Sequence, residues 1–241
     1  MNKVKFGKKI VEVKTKKELV KSLFNKVSTQ YDLMNDLMSF GLHRLWKKDL
    51  IKNIDTLNPS LILDLAGGTG DISKQLSKKF KQSTIIIYDL SYEMIKKAKY
   101  RVKNKNIFYI NGSAELISLP DNCVDLITLS FGLRNFSNIK VAIKECYRVL
   151  KFGGKIYCLE FSPSYSTLIK PSYDFYSNKI IPKIGKLVAK NENAYKYLTD
   201  SIQSFYFNPE LKNIFNKNGF FCYTEKKYLG GIAILNVFSK V

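Results

Sequence analysis

One stretch, LILDLAGGTGD at residues 61–71, limits the folds open to this chain more than any other. An apolar run suited to a buried strand closes on Asp64 and Leu65. Small residues follow at 66, 67, 68 and 70, and a polar stretch with helical spacing begins near Asp71. Glycine adopts positive φ at little cost and lets a ligand approach the backbone, so Gly68 and Gly70 mark a tight turn with room beside it. A strand–glycine turn–helix unit at the carboxyl edge of a parallel sheet makes a nucleotide-binding crevice. A pyrophosphate binder carries GxGxxG, with its phosphates over the helix N-terminus. Counted from Ala66, this turn is AxGxG, and Asp71 occupies the final spacing. A carboxylate there repels a diphosphate and tolerates a ligand that carries an amino group. Asp64 adds a second acid. The pattern favours a nucleoside bearing positive charge, such as S-adenosylmethionine, over NAD.

The rest of the chain agrees with a parallel sheet. TIIIYD (84–89), IFYI (107–110), VDLITLSF (124–131) and GGKIYCLEF (153–161) have strand character. DISKQLSKKF (71–80), SYEMIKKAKYRVK (91–103) and a segment near 138–150 have helical spacing, with Ser91 placed as an N-cap. This βαβα order predicts an α/β domain with helices on both sheet faces. Residues 1–55 form a helical N-terminal extension, with Leu19, Leu23, Val27 and Tyr31 in helical register. Residues 162–205, rich in tyrosine and lysine, break the rhythm and are expected to form a helical lid insertion. A helix opening near Pro209 and closing before Gly219 follows, then two strand-like runs, 220–228 and 232–238, joined at Gly230-Gly231 as a hairpin. The whole chain, 1–241, is expected to be one domain.

Charge and cysteines exclude some functions. Forty basic residues against twenty acidic ones give +20, but only four are arginine. Base readout favours arginine's fork, so this lysine-rich charge does not point to nucleic acid. It is equally the composition of an A/T-rich coding sequence, and it suits docking to an anionic membrane. Cys123, Cys146, Cys158 and Cys222 are scattered and His43 is the single histidine, so no metal site is expected; reduced, buried thiols are. No apolar run reaches the roughly 18 residues of a membrane span. The charged N-terminus lacks a secretory signal, which predicts a cytoplasmic protein.

Asp89 ends the second strand about twenty residues past the glycine turn, where an acid accepts hydrogen bonds from both ribose hydroxyls. The alternative is a helix N-terminal charge. Ser113 and Ala114 leave the third strand where an adenine edge would lie beside such a ribose; the alternative is an ordinary loop before the Pro120-Asp121-Asn122 turn.

LDLAGGTGD, SAELISLPD, ITLSFGLRN and RVLKFGGKIYCLEFS together resemble the class I S-adenosylmethionine-dependent methyltransferases. More narrowly, NDLMSFGLHRLWK (35–47) and SFGLRN resemble the ubiquinone/menaquinone biosynthesis C-methyltransferase family, from about residue 25 onward. The resemblance implies a Rossmann-like fold, with a mostly parallel seven-stranded sheet ending in an antiparallel hairpin. It implies methylation of a ring carbon of 2-polyprenyl-6-methoxy-1,4-benzoquinol, of demethylmenaquinol, or of both, with S-adenosyl-L-methionine as methyl donor. It implies donor contacts at Thr69 in the glycine turn, Asp89, Ser113 with Ala114, and Ser130. A polyprenylated substrate further implies peripheral contact with the inner face of a membrane, and a homodimer or a quinone-biosynthesis complex as assemblies. Phe152 departs from the usual RVLKPGG, which should loosen the turn before the fifth strand.

Arg134 and Asn135 follow the fourth strand. An aromatic carbon is a poor nucleophile until the neighbouring hydroxyl ionises, and phenols titrate near 10. A guanidinium within reach stabilises the phenolate, and Asn135 orients the ring hydroxyl or a water. The alternatives are a surface salt bridge for Arg134 and a turn or cap role for Asn135. His43 has an acid–base reading and a packing one. Trp46 is core or substrate wall. Tyr165, Tyr173, Phe175 and Tyr176 line a prenyl channel or form the core of the lid. Two rivals remain at this stage. A nucleic-acid methyltransferase lacks its usual (Asp/Asn/Ser)-Pro-Pro-aromatic string here, and a non-enzymatic scaffold has no need of the intact turn, Asp89 and Arg134.

Overall fold

The computed structural model describes residues 3–28, 31–163, 175–180 and 192–241. Its centre is a seven-stranded sheet built on β3 (Leu61–Leu65), β4 (Thr84–Asp89), β5 (Ile107–Asn111), β6 (Val124–Ser130), β7 (Leu150–Phe161), β8 (Phe220–Tyr228) and β9 (Ala233–Lys240), in the order β5-β4-β3-β6-β7-β9-β8. The first five pair in parallel, and β9 joins β7 and β8 antiparallel. Ile62, Leu63, Ile85, Ile87, Leu126 and Ile127 are buried whichever way they point, because helices cover both faces. The chain winds outward from β3 to β5 and then returns to place β6 on the other side of β3. That reversal opens a crevice at the carboxyl ends of β3 and β6.

The connecting helices fall where periodicity places them: α4 (Asp71–Lys79), α5 (Tyr92–Arg101) and α6 (Ile139–Val149). Ser91 caps α5 by accepting the Met94 amide at 3.2 Å. Near the C-terminus, a helix at Asn208–Asn216 begins with Pro209 in its first turn and is followed by Gly219 at φ +86. β7 starts three residues earlier than expected, and Phe152 lies exposed within it, 4.5 Å from the Lys240 ammonium. Cys146 and Cys158 are buried, but Cys123 and Cys222 are only half-buried, a partial correction to the expectation of buried thiols.

The N-terminal extension does not begin as helix. β1 (Lys3–Phe6) and β2 (Lys9–Glu12) form an antiparallel pair around Gly7, which takes φ +59. β1 alternates lysines with Val4 and Phe6, but β2 carries Ile10 and Val11 side by side, so no continuous alternation marks the pair as strands. The hairpin seats on the insertion: Phe6 stacks on Tyr197 at 4.3 Å and Lys8 pairs with Asp200 at 3.5 Å. Helices α1 (Val13–Val27), α2 (Tyr31–Ser39) and α3 (His43–Lys52) follow and send Val27, Met34, Met38 and Leu50 into the core. Trp46 stacks on Tyr228 and meets Phe161 edge-on, so it is core. His43 is fully buried and bonds Asp36 at 2.8 Å, a packing role.

Of the 162–205 insertion, a π-helical turn at Tyr176–Ile180 and helix α7 (Glu192–Gln203) are described. Tyr176 stacks on Phe40 and donates to the Leu37 carbonyl at 2.8 Å, whereas Phe175 is exposed. Tyr165 and Tyr173 lie outside the described residues. No helix among the described residues is long and apolar enough to cross a membrane.

Candidate cofactor and acceptor site

The glycine turn is fastened from three directions. Asp64, buried at the end of β3, accepts from the Ser73 amide and hydroxyl at 3.1 and 2.6 Å and from Thr128 at 2.9 Å, tying β3 to α4 and β6. Gly70 holds φ +84, and a Cβ there would stand 2.8 Å from Val102 Cγ2, so only glycine fits. Gly68, at φ +56, turns its N–H onto Asp89 Oδ2 at 2.9 Å. The other Asp89 oxygen takes the Ser91 amide at 2.8 Å. Asp89 lines a cleft with Leu90, Ala114, Phe131, Asn135 and Phe136, and each carboxylate oxygen has a further lone pair beyond its backbone bond. Ser113 hydrogen-bonds the Glu115 carboxylate, whose other oxygen accepts the Ser137 amide at 2.6 Å. Ser113 thereby braces the loop that presents Ala114.

A smaller recess against the turn is lined by Tyr31, Lys47, Asp64, Thr69, Asp71 and Ser130. Asp71 is not the bare anion that its sequence position suggests. Lys47 reaches it at 3.2 Å and Arg101 at 3.0 Å, and against the effect of burial they hold its carboxyl below the usual range. Arg101 also donates to the Thr69 hydroxyl at 2.7 Å. The recess thus offers both signs of charge. Ser130 Oγ is buried in it with no hydrogen-bond partner among the described residues.

Beyond β6, Phe131 adopts φ +58, a strained state for a bulky residue, and Ala66 at the end of β3 takes φ +53. A Cβ on Gly132 would lie 2.5 Å from the Ala66 Cβ, so the two strand ends meet only because residue 132 is glycine. This tight corner turns the next residues inward as a 3₁₀ turn, Leu133–Asn135. Asn135 lines the cleft. Arg134 is 3% exposed and forms an ion pair with Glu160 at 2.7 Å, so the alternative of a surface salt bridge does not hold. Tyr31 lines both hollows. Burial pushes its phenol up, and Lys47 and Arg134 oppose that. Sequence reading placed Tyr31 on a helix only by its spacing. Nothing local shows that it, Lys47 or Glu160 would reach the site.

These residues fit an adenosine carrying an α-amino acid. Asp89 suits the ribose hydroxyls, Ala114 the adenine edge, and the mixed-charge recess with its unpartnered Ser130 hydroxyl suits a zwitterion. Burial raises the Asp89 carboxyl to about 6. Ribose hydroxyls donate to the ionised form and so lower that value on binding. Affinity for S-adenosylhomocysteine is therefore expected to be full above pH 6 and to weaken as pH falls through 6. Calorimetric titration between about pH 5 and 7.5 checks this; constant affinity would remove Asp89 from the ribose.

Comparison with known proteins bears on the same cleft. The chain is 43% identical over 244 residues to the ubiquinone/menaquinone biosynthesis C-methyltransferase UbiE of Rickettsia bellii, with 98% of each covered. Among solved structures it is similar to a SAM-dependent methyltransferase from Aquifex aeolicus, with TM-score 0.61 at 16% identity over 96% of this chain and 100% of that one. It is also similar to human N-acetylserotonin methyltransferase in complex with SAM, with TM-score 0.58 at 18% identity over 89% of this chain and 59% of that one. At these identities the structures bear out the expected fold. The model of the ubiE/COQ5 methyltransferase family matches residues 11–240, and the chain belongs to that family.

Proposed function

We propose that this protein is an S-adenosylmethionine-dependent C-methyltransferase acting on the quinol ring of ubiquinone and menaquinone precursors. The observation that carries the reading is the cleft itself. Asp89, Ala114 and Asn135 line it together, and the buried Arg134, next to Asn135 in the chain, lines the neighbouring hollow with Tyr197 and Ser201. Bound S-adenosylmethionine supplies an electrophilic methyl group on a sulfonium. Asp89 holds the ribose, Ala114 meets the adenine, and Thr69, Ser130 and the Gly68–Gly70 turn shape the recess for the amino-acid end. Arg134 and Asn135 steady the ring oxygen of the acceptor and favour its ionised form, which raises electron density at the adjacent carbon. The aromatic walls from Phe131 and Phe136 keep water from that carbon.

A prenyl tail keeps the acceptor in a bilayer. The +20 net charge favours work at an anionic membrane surface, where each lysine near the surface contributes about 1 kcal/mol. The nucleic-acid alternative is not favoured.

The test uses pure protein, S-adenosylmethionine and chemically reduced, short-chain prenylated demethylmenaquinol or 2-polyprenyl-6-methoxy-1,4-benzoquinol. Mass spectrometry should find one added methyl on ring carbon. Donor binding without methylation of either quinol would refute the reading.

A further inference from the structure

Arg134 is held on three sides. Its Nη1 donates to Glu160 Oε1 at 2.7 Å and to the Phe131 carbonyl at 2.6 Å, and its Nε donates to Ser201 Oγ at 3.3 Å. Glu160 Oε2 also accepts the backbone N–H of Arg134 at 3.2 Å, so one carboxylate fixes both ends of the residue. Only Nη2 is left over, buried and without a partner among the described residues. A buried donor of this kind is unfavourable until a ligand completes it.

Asn135 is prepared in the same way. The Tyr197 hydroxyl donates to its Oδ1 at 3.0 Å, which fixes which side of the amide is carbonyl. Burial holds the Tyr197 phenol well above its usual range, so it stays protonated and remains a donor. The Asn135 Nδ2 then has only a long contact, 3.5 Å, to the Phe131 carbonyl. Among the described residues, Glu160 from β7, Tyr197 from α7 and Tyr31 from α2 face the pair, and Lys5 and Lys16 line the hollow on the Arg134 side.

We propose that Glu160 and Tyr197 are positioning residues. They set Arg134 Nη2 and Asn135 Nδ2 as a pair of donors for a ring oxyanion, and the insertion helix α7 thereby completes the acceptor site. Two donors aimed at one oxygen stabilise an ionised hydroxyl more than a neutral one, because hydrogen bonds to a charged acceptor are the stronger ones. The inference rests on the quinol reading above for the identity of the acceptor, but not for the oxyanion preference itself.

The test is spectroscopic. 4-Nitro-1-naphthol changes absorbance on ionising and is titrated in the presence of enzyme saturated with S-adenosylhomocysteine. The wild type is expected to favour its anion by about tenfold, equivalent to one pKa unit. Tyr197→Phe, which deletes one hydroxyl, and Glu160→Gln are each expected to lose more than half of that preference while holding S-adenosylhomocysteine within about twofold of the wild type. The same variants should require higher pH for turnover of short-chain demethylmenaquinol. A purely structural role would lower the melting temperature and leave the probe's ionisation and the pH profile unmoved. If Glu160→Gln does not fold, Tyr197→Phe decides. A wild type that leaves the probe's ionisation unchanged, or a folded Tyr197→Phe that matches the wild type, overturns the proposal. A wild type that favours the anion but methylates no quinol would instead sink the functional reading and leave the donor pair standing.

Discussion

Replacing Arg134 with alanine should slow quinol methylation by about a hundredfold or more and also destabilise the fold. The first loss follows from removing the donor that stabilises the ring oxyanion where little water competes. The second follows from what remains behind. Glu160 is 3% exposed, and its principal cationic partner is Arg134. A buried carboxylate stripped of its cation costs about 3–5 kcal/mol. The two losses should separate in the double variant Arg134→Ala, Glu160→Gln. Removing the stranded charge restores most of the stability, whereas turnover stays low. Urea unfolding and initial rates on the same preparations read the two effects, and binding of S-adenosylhomocysteine should change little in either variant. An Arg134→Ala protein as active as the wild type would end the assignment.

Asp89→Asn is the companion change on the nucleoside side, expected to weaken S-adenosylhomocysteine by about a hundredfold. Each carboxylate oxygen already accepts one backbone N–H, from Gly68 at 2.9 Å and from Ser91 at 2.8 Å. The remaining lone pairs suit two ribose hydroxyls. An amide replaces one oxygen with an NH₂ that faces a backbone donor and cannot accept from a hydroxyl. Two charge-assisted bonds lost or weakened, at about 1.5 kcal/mol each, correspond to roughly two decades in affinity. Because the Gly68 amide would lose its acceptor, the turn should loosen as well. Calorimetry gives the affinity. An unchanged dissociation constant would mean that the ribose sits elsewhere.

The parallel sheet and its nucleotide crevice were legible because local chemistry dictates them. Apolar runs of strand length, glycines at positive φ and an acid at the next strand's end are all short-range signals, and Gly68, Gly70 and Asp89 stand where those signals put them. Arg134 and Asn135 could be placed just past β6 by counting along the chain, but their surroundings could not. Glu160 lies 26 residues from Arg134, and Tyr197 lies 62 from Asn135. No periodicity encodes such pairings; they exist only once β6 and β7 are neighbours and α7 has docked. Asp71 shows the opposite error. Its position suggested a free anion for the ligand's amino group, but Lys47, 24 residues earlier, and Arg101, 30 later, occupy it. The β1–β2 hairpin has no such short-range signal, because its apolar residues are few, alternate with lysines only in β1, and pair as strands only in the context of the folded chain.

That hairpin supports α7, and α7 carries the hydroxyls of Tyr197 and Ser201, whereas Gly68, Asp89 and Ala114 face the cleft from the strand ends and their loops. The groups that position the acceptor and those that line the nucleoside cleft thus sit on different elements, joined through the 3₁₀ turn and a shared apolar core. Changes to α7 or its buttress can retune which rings are accepted without disturbing the grip on the sulfonium compound, which makes this helix the natural place to engineer acceptor range.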